Sequence, residues 1–596
     1  GTGATVTTVG GDALDLAGLG GEVRTGDHTV EVRLPSDLLP AGPWSLTGGA
    51  GLSDPADPSS YWAVPAGAAS ATSPGSGSSL LAGSPVWSLL FADDDPWVFT
   101  ARSEGDILVD GNVSSVSFTL DPGMLVAGRN DAPAPRSGRL ARQYSSAFDF
   151  GDGITKGDPA QTLGILELPP EVPLDDVARS FEYTGRLQPY GMLVDAAYHD
   201  RTGPWPLIVY LHGLNNYYYE PFGTLPNLEL VGERGYLFAG LLGRGDLSYL
   251  GRGELDVREV IADVAKSYDV DPDRIYLMGH SMGSIGSHNI ATRNPDVFAA
   301  GSPSEITASN ALISNLRHIP WSIAGGVGDP LDLGAGSEVT TYGLLSELGY
   351  DATFYEFTLK THESSSIYDR LASTLDLFDR SSRVVDPAQV TYKRLPGDDH
   401  PELGIVHDRA YQISEMTFAD DAVAQSVVLE SFAIAHAPLD PAGAEHLIGS
   451  SDEGGPSGRS EGNKYTTIPA YGSPVEVRNA GTITLENVAS LTLAADRLGF
   501  TMIDGWVLDV SSDAPVTLLL EGIGSYAGAG LMLDGAPVTS SVASSTLAVA
   551  IAAGEHRLTI GAAPVPTGAP LPVTGGGLAL LALASLGGAA RIRRRA

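Results

Sequence analysis

The sequence has 596 residues, 43% of them hydrophobic and 18% charged, with a net charge of −37. That length allows roughly two to four domains, and so acidic a chain is unsuited to nucleic acid, because phosphate binding needs a basic surface. No cysteine is present, which excludes disulfides, thiolate nucleophiles and cysteine-ligated metals.

Residues 1–185 read as a β-rich N-terminal domain. HTVEVRLP (28–35) and VSSVSFTLDPG (113–123) alternate apolar and polar residues with period two. Between them PAGAASATSPGSGSSLLAGSP (65–85) is a Gly/Ser/Pro loop, and FADDDPW (91–97) is either a solvated acidic turn or a weak cation site.

From residue 186 to 383 strands and helices alternate, which predicts a mostly parallel sheet. PLIVYLH (206–212) and RIYLMG (274–279) are continuous apolar runs of buried-strand type. GELDVREVIADVAKSYDV (253–270) places Val257, Val260, Ile261 and Val264 at helical spacing. A helix over VTTYGLLSELGY, a strand over ATFYEFTL and a helix over SSIYDRLASTLDLFDR complete the unit. Residues 384–560 return to β character, as in GTITLENVASLTLAADRLGF and APVTLLLEGIG, around a polar loop at 450–464. Residues 561–596 are a linker and tail.

Within the αβ segment, Gly279-His280-Ser281-Met282-Gly283 fits G-x-S-x-G between a strand and a helix. That chemistry needs a sharp strand-to-helix turn, and glycines on both sides permit it. A plain N-cap serine, the alternative, needs no such glycines. A serine nucleophile requires a base, an acid that orients the base, and an oxyanion site. In this architecture the acid and then the histidine follow the serine along the chain. Asp329 follows an apolar strand ending in glycines, with Asp332 its rival. His362 comes after the next strand, and His400 and His407 lie further on. The amide of Met282 supplies one oxyanion donor, and the loop after YLHG supplies the other through Leu214, with Gly213 allowing close approach and His212 holding the loop. Asn215, Asn216, Tyr217 and Tyr218 would line either a substrate wall or a packing contact with the neighbouring domain.

These residues resemble the α/β-hydrolase superfamily, and within it the prolyl oligopeptidase-like and polyhydroxybutyrate-depolymerase-like secreted bacterial serine hydrolases. The likeness is carried by LIVYLHGLNN, GRGDLSYLGRGELDVREVI, DVDPDRIYLMGHSMGSIGSHNIATRNPDVFAAGSPS, GGVGDP and THESSS, over about residues 186–380. VTYKRLPGDDHPELGIVHDRAYQISEM (390–416) resembles a segment that follows the hydrolase domain in large exported actinobacterial members. The resemblance implies Ser281 as nucleophile, Asp329 as acid and His362 as base, with no metal or organic cofactor. Ser284 stands where relatives commonly carry glycine, and GVGDPLDLG lacks the usual continuation after the acid.

LPVTG (571–575), a short apolar run and RIRRRA follow in the order of a Gram-positive cell-wall sorting signal. That resemblance implies sortase cleavage between Thr574 and Gly575 and attachment to peptidoglycan; a plain membrane anchor is the alternative. The first residue is Gly1, not Met, as expected if an export signal has been removed. The sequence therefore predicts an α/β-hydrolase domain flanked by β-rich, sandwich-like domains, secreted and held at a Gram-positive cell surface. It would act on a small-molecule, polymer or peptide acyl substrate. A carboxylic ester hydrolase is favoured over a prolyl oligopeptidase-type peptidase, because about 185 preceding residues cannot build a gating propeller at roughly 40–50 residues per blade. A non-catalytic adhesin is the alternative from another class.

Overall fold

The computed structural model describes residues 137–150, 154–156 and 181–561 apart from short internal stretches, with isolated short strand pairs before them. Among those early pairs, Glu22–Gly26 lies antiparallel to Thr29–Arg33, and Phe118–Leu120 to Trp44–Leu46. The acidic stretch 91–97, Asn215, Asp332, and the tail with Thr574 and Gly575 lie outside the described residues. Among the described residues no helix is long and apolar enough to cross a membrane.

The central element is a ten-stranded sheet. Its first eight strands are β1 (Gly138–Ser145), β2 (Leu187–Val194), β3 (Trp205–Leu211), β4 (Leu237–Leu241), β5 (Val270–His280), β6 (Ala300–Ser304), β7 (Trp321–Gly326) and β8 (Ala352–Phe357). Across the sheet they run 1-2-4-3-5-6-7-8. β2 is antiparallel to both its neighbours, and β4-β3-β5-β6-β7-β8 are mutually parallel. This is the α/β-hydrolase arrangement, as the sequence predicts.

The apolar runs are explained by burial on both sides. Along β3, Leu207, Val209 and Leu211 enter one core cluster, whereas Ile208 and Tyr210 enter another on the opposite face. Helices α1 (Glu220–Thr224) and α2 (Glu229–Glu233) follow β3, and α3 (Arg252–Ser267) follows β4. Helices α4 (Met282–Arg293), α5 (Glu338–Glu347) and α6 (Leu371–Asp379) follow β5, β7 and β8. Val257, Val260 and Val264 of α3 and Ile290 of α4 cover the first face, and Leu371, Leu375 and Phe378 of α6 cover the second. β3 pairs with β4 on one side and β5 on the other. The chain thus changes direction at β3, which makes the carboxyl ends of β3 and β5 the switch point of the sheet.

The sheet is not confined to residues 186–383. β1 precedes that range, and a hairpin from beyond it, β9 (Glu445–Ser450) and β10 (Gly462–Ile468), joins the far edge. β10 pairs antiparallel with β8, and β9 forms the margin with all six residues exposed. The rest of the C-terminal half is a β-sandwich. Strands at 389–394, 425–431, 480–486, 506–512 and 554–560 form one sheet, and those at 413–418, 488–494, 516–521 and 546–551 the other. Both contribute to one core, with Leu429, Ile483, Leu508 and Val510 against Ile413, Leu491, Leu518 and Val549.

A buried ionic cluster ties this sandwich to α3. His407 is 3% exposed. Its Nε2 lies 3.1 Å from both carboxylate oxygens of Glu254, and its Nδ1 lies 3.4 Å from Asp399. Arg258 donates to Glu254 at 2.6 Å, and Arg293 pairs with Asp398 at 2.9 Å. Burial opposes charge on His407, but hydrogen bonds with Asp399 and Glu254 prevail and raise its pKa. Burial likewise opposes the Glu254 carboxylate, yet His407 and Arg258 hold it down at about 2. A raised histidine stabilises the fold fully below its unfolded value of about 6.5 and loses that contribution as pH rises through the folded value. Glu254 contributes above about 4.3, and its share is lost as pH falls towards 2. His407→Gln is therefore expected to cost about 3 kcal/mol at pH 5.5, since it leaves buried carboxylates uncompensated, and clearly less at pH 9. Denaturant unfolding at the two pH values reads this, and an equal loss at both would remove the charged role.

Candidate active site

The elbow is built by close backbone approach. Ser281 adopts φ 55° and ψ −117° between β5 and α4, a strained conformation for a non-glycine residue. Its amide donates to the Ser304 carbonyl at 2.9 Å, which fixes the turn against β6. A Cβ on Gly279 would overlap the Gly283 carbonyl, and one on Gly283 would overlap the Leu211 backbone. The glycines thus let α4 lie directly on β3 and β5. Ser284 is fully buried in α4.

The three residues predicted from chain order meet here. His362 Nε2 lies 2.7 Å from Ser281 Oγ, and His362 Nδ1 lies 2.7 Å from Asp329 Oδ2. Asp329 follows β7, and its Oδ1 accepts the Leu331 amide at 2.8 Å. Burial alone would raise the Asp329 pKa. Hydrogen bonds from His362 and Leu331, the His362 charge and a hydrogen bond with Glu305 outweigh it and hold the pKa below its ordinary value. The loop bearing His362 is stitched to the loop bearing Asp329: the Gly328 amide donates to the Lys360 carbonyl and the Val327 amide to the Phe357 carbonyl, both at 3.0 Å. The rival histidines are engaged elsewhere. His407 belongs to the ionic cluster above, and His400 lies 3.2 Å from Glu402.

The loop after β3 comes up against the serine. A Cβ on Gly213 would lie 3.5 Å from the Ser281 Cβ and 3.0 Å from His280 Nδ1. His212 is fully buried. Its Nδ1 sits 2.7 Å from the Gly213 carbonyl and its Nε2 2.8 Å from that of Leu242, so it clamps the loop to the end of β4. Leu214 packs on the core beside β3. Met282 opens α4, where first-turn amides have no intrahelical acceptor. Tyr217 and Tyr218 pack against Tyr183 and Leu242, with Tyr217 stacked on Tyr219 at 5.2 Å. Asn216 is exposed.

Three further titratable residues surround the site. His280 lies beside His362, with ring centroids 5.2 Å apart and planes tilted by 45°. Burial first, and then the His362 charge, push its pKa down to about 3, so it stays neutral near pH 7. Glu220 at the start of α1 is buried and pushed up to about 7; its Oε2 lies 3.4 Å from the Gly213 amide and the Tyr210 hydroxyl. Glu305 follows β6 and is fully buried. No motif marks either glutamate. Their positions, at the first residue of a helix and one residue past a strand, are visible only once the sheet is assembled.

A comparison with protein families finds no match, and neither does one with curated proteins. Solved structures with a similar arrangement exist. An S-formylglutathione hydrolase from Agrobacterium tumefaciens is 17% identical, over 33% of this chain and 90% of its own, with a TM-score of 0.29. A fluorophosphonate-binding serine hydrolase F from Staphylococcus aureus is 13% identical, over 40% of this chain and 98% of its own, at 0.30. A puromycin-hydrolysing peptidase from Mycobacterium tuberculosis is 13% identical, over 33% of this chain and 37% of its own, at 0.27.

Proposed function

We propose that this chain is a serine hydrolase that cleaves carboxylic esters through an acyl-enzyme. The observation that carries the reading is the unbroken run of hydrogen bonds from Ser281 through His362 to Asp329, beyond the carboxyl ends of β5, β8 and β7. With Nδ1–H donated to Asp329, the Nε2 lone pair of His362 faces the Ser281 hydroxyl. Ser281 Oγ attacks the acyl carbon as its proton passes to Nε2. The Met282 and Leu214 amides receive the negative charge that develops on the carbonyl oxygen, and losing one such donor costs roughly 10²–10³ in rate. The imidazolium then protonates the leaving alkoxide, and water deprotonated by His362 releases the acid. Asp329 keeps the imidazole in the productive tautomer throughout. The tail sequence supports placing this enzyme on a Gram-positive cell wall, with Thr574 as the attachment residue.

A fluorophosphonate probe is expected to label the wild-type chain at Ser281, and Ser281→Ala to abolish labelling. Turnover of a short acyl ester beside an aminoacyl-proline amide then separates esterase from peptidase: hydrolysis of the ester at least tenfold faster supports the proposal. Absence of labelling in the folded protein would leave a binding protein on an inactive hydrolase scaffold.

A further inference from the structure

Glu305 sits where the acid end of the site has no obvious need of it. It follows β6 directly and is fully buried, and its backbone is left-handed at φ 57°. Its amide donates to the Ala324 carbonyl at 2.8 Å, and its Oε2 accepts the Gly326 amide at 3.0 Å. Both contacts are to β7, the strand that delivers Asp329. The left-handed turn thus points the Glu305 chain along β7 towards the acid loop. One oxygen of Glu305, one of Asp329 and one ring nitrogen of His362 all lie within 4.8 Å of one another.

We propose that Glu305 is a positioning residue for the Ser281–His362–Asp329 chemistry: a protonated carboxyl that donates to Asp329 in the resting site and takes over the negative charge when Asp329 is made neutral. The proposal rests on the reading of these three residues as catalytic. Two buried carboxyls this close do not both ionise; they share one proton. His362 Nδ1 and the Leu331 amide both donate to Asp329, so the negative charge resides there and the proton on Glu305. The Glu305 hydroxyl then anchors Asp329 from the side away from the imidazole. A carboxylate free to turn would let His362 swing off the serine, and a misplacement of about 1 Å can cost on the order of 10² in rate.

The arrangement also gives the site a second acid. If Asp329 becomes asparagine, no carboxylate competes with Glu305 for charge, and Glu305 ionises. It then accepts the Asn amide N–H, which turns the Asn oxygen towards His362 Nδ1–H and preserves the tautomer. Replacement of a lone triad aspartate by asparagine costs about 10⁴ in kcat, because the tautomer is wrong. Here Asp329→Asn should cost no more than about 10²-fold.

The experiment is a double-mutant cycle on the full chain, with kcat and KM for a short acyl ester. Wild-type turnover and probe labelling test the catalytic reading itself. The cycle then tests Glu305 separately. Glu305→Gln alone is expected to lower kcat less than tenfold with KM unchanged. Asp329→Asn should retain about one hundredth of wild-type kcat, and the double variant should fall to about 10⁻⁴, with KM again unchanged. Such excess loss is a coupling between the two side chains, which packing alone does not give. If Glu305→Gln fails to fold, Glu305→Asp, whose shorter carboxyl no longer reaches residue 329, takes its place and should give the same fall. The proposal is overturned if an active wild-type enzyme loses as much rate on Asp329→Asn as in the double variant, or if the two losses simply multiply.

Discussion

Replacing His362 with alanine should lower kcat/KM for an acyl ester on the order of 10⁵–10⁶-fold, the largest loss expected from any side chain outside the core. Members of a nucleophile–base pair act as a unit, so removing either costs nearly as much as removing both. Ser281→Ala should therefore match it, and the double variant should be no worse than either alone. The effect falls on kcat. His362 contributes its nitrogens to Ser281 and Asp329, and 23% of its side chain is exposed. Thermal unfolding should fall by a few degrees, because the buried Asp329 loses one partner but keeps the Leu331 amide. Steady-state kinetics and a melting curve on the same sample decide it. A loss below tenfold with the fold intact would show that proton transfer runs through another group.

The largest expected effect on stability comes from a single methyl group. A Cβ on Gly283 would overlap the carbonyl carbon and oxygen of Leu211, at the end of the central strand β3. These are backbone atoms in a sheet buried on both faces, so no rotamer change relieves the overlap. Either α4 lifts from the sheet or the end of β3 moves, and each breaks packing shared by many residues. Gly283→Ala is therefore expected to cost about 3 kcal/mol or more and to separate Ser281 from the loop bearing Gly213. Gly343 in α5 provides the contrast. A Cβ there meets nothing within 4 Å, and Gly343→Ala should be neutral or stabilise by up to about 1 kcal/mol. Melting curves of both variants test the pair. A Gly283→Ala protein that unfolds within 2 °C of wild type would mean that the elbow tolerates a displacement despite the overlap with Leu211.

Ser281, Asp329 and His362 were legible because each sits at a strand end whose signal is local. Ser281 carries flanking glycines, Asp329 follows an apolar strand closed by Gly325 and Gly326, and His362 lies before the last helix. Chain order then supplied their pairing. The sheet itself was legible for β3 to β8, where apolar runs alternate with helical periodicity. What could not be read was pairing across long separations. β9 and β10 lie about a hundred residues beyond β8, and β10 begins within the polar stretch read as a loop. Their place at the sheet edge depends on register with β8, not on composition. Glu220 and Glu305 were hidden for a related reason. A glutamate in a loop looks solvated in sequence, and only the neighbouring strand ends bury it. The tyrosines after Gly213 read equally well as substrate wall or as packing, and Tyr217 and Tyr218 are found against Tyr183 and Leu242.

The hairpin at the sheet margin has a mechanical corollary. β8 satisfies its outer row of backbone groups through β10, from Ala352 opposite Thr467 to Phe357 opposite Gly462. The loop carrying His362 begins where β8 ends. A chain cut after the last helix would leave that row bare, and an open edge both frays and invites foreign strands. The sandwich half of the molecule is thus no passenger: by lending two strands it braces the support on which His362 is mounted.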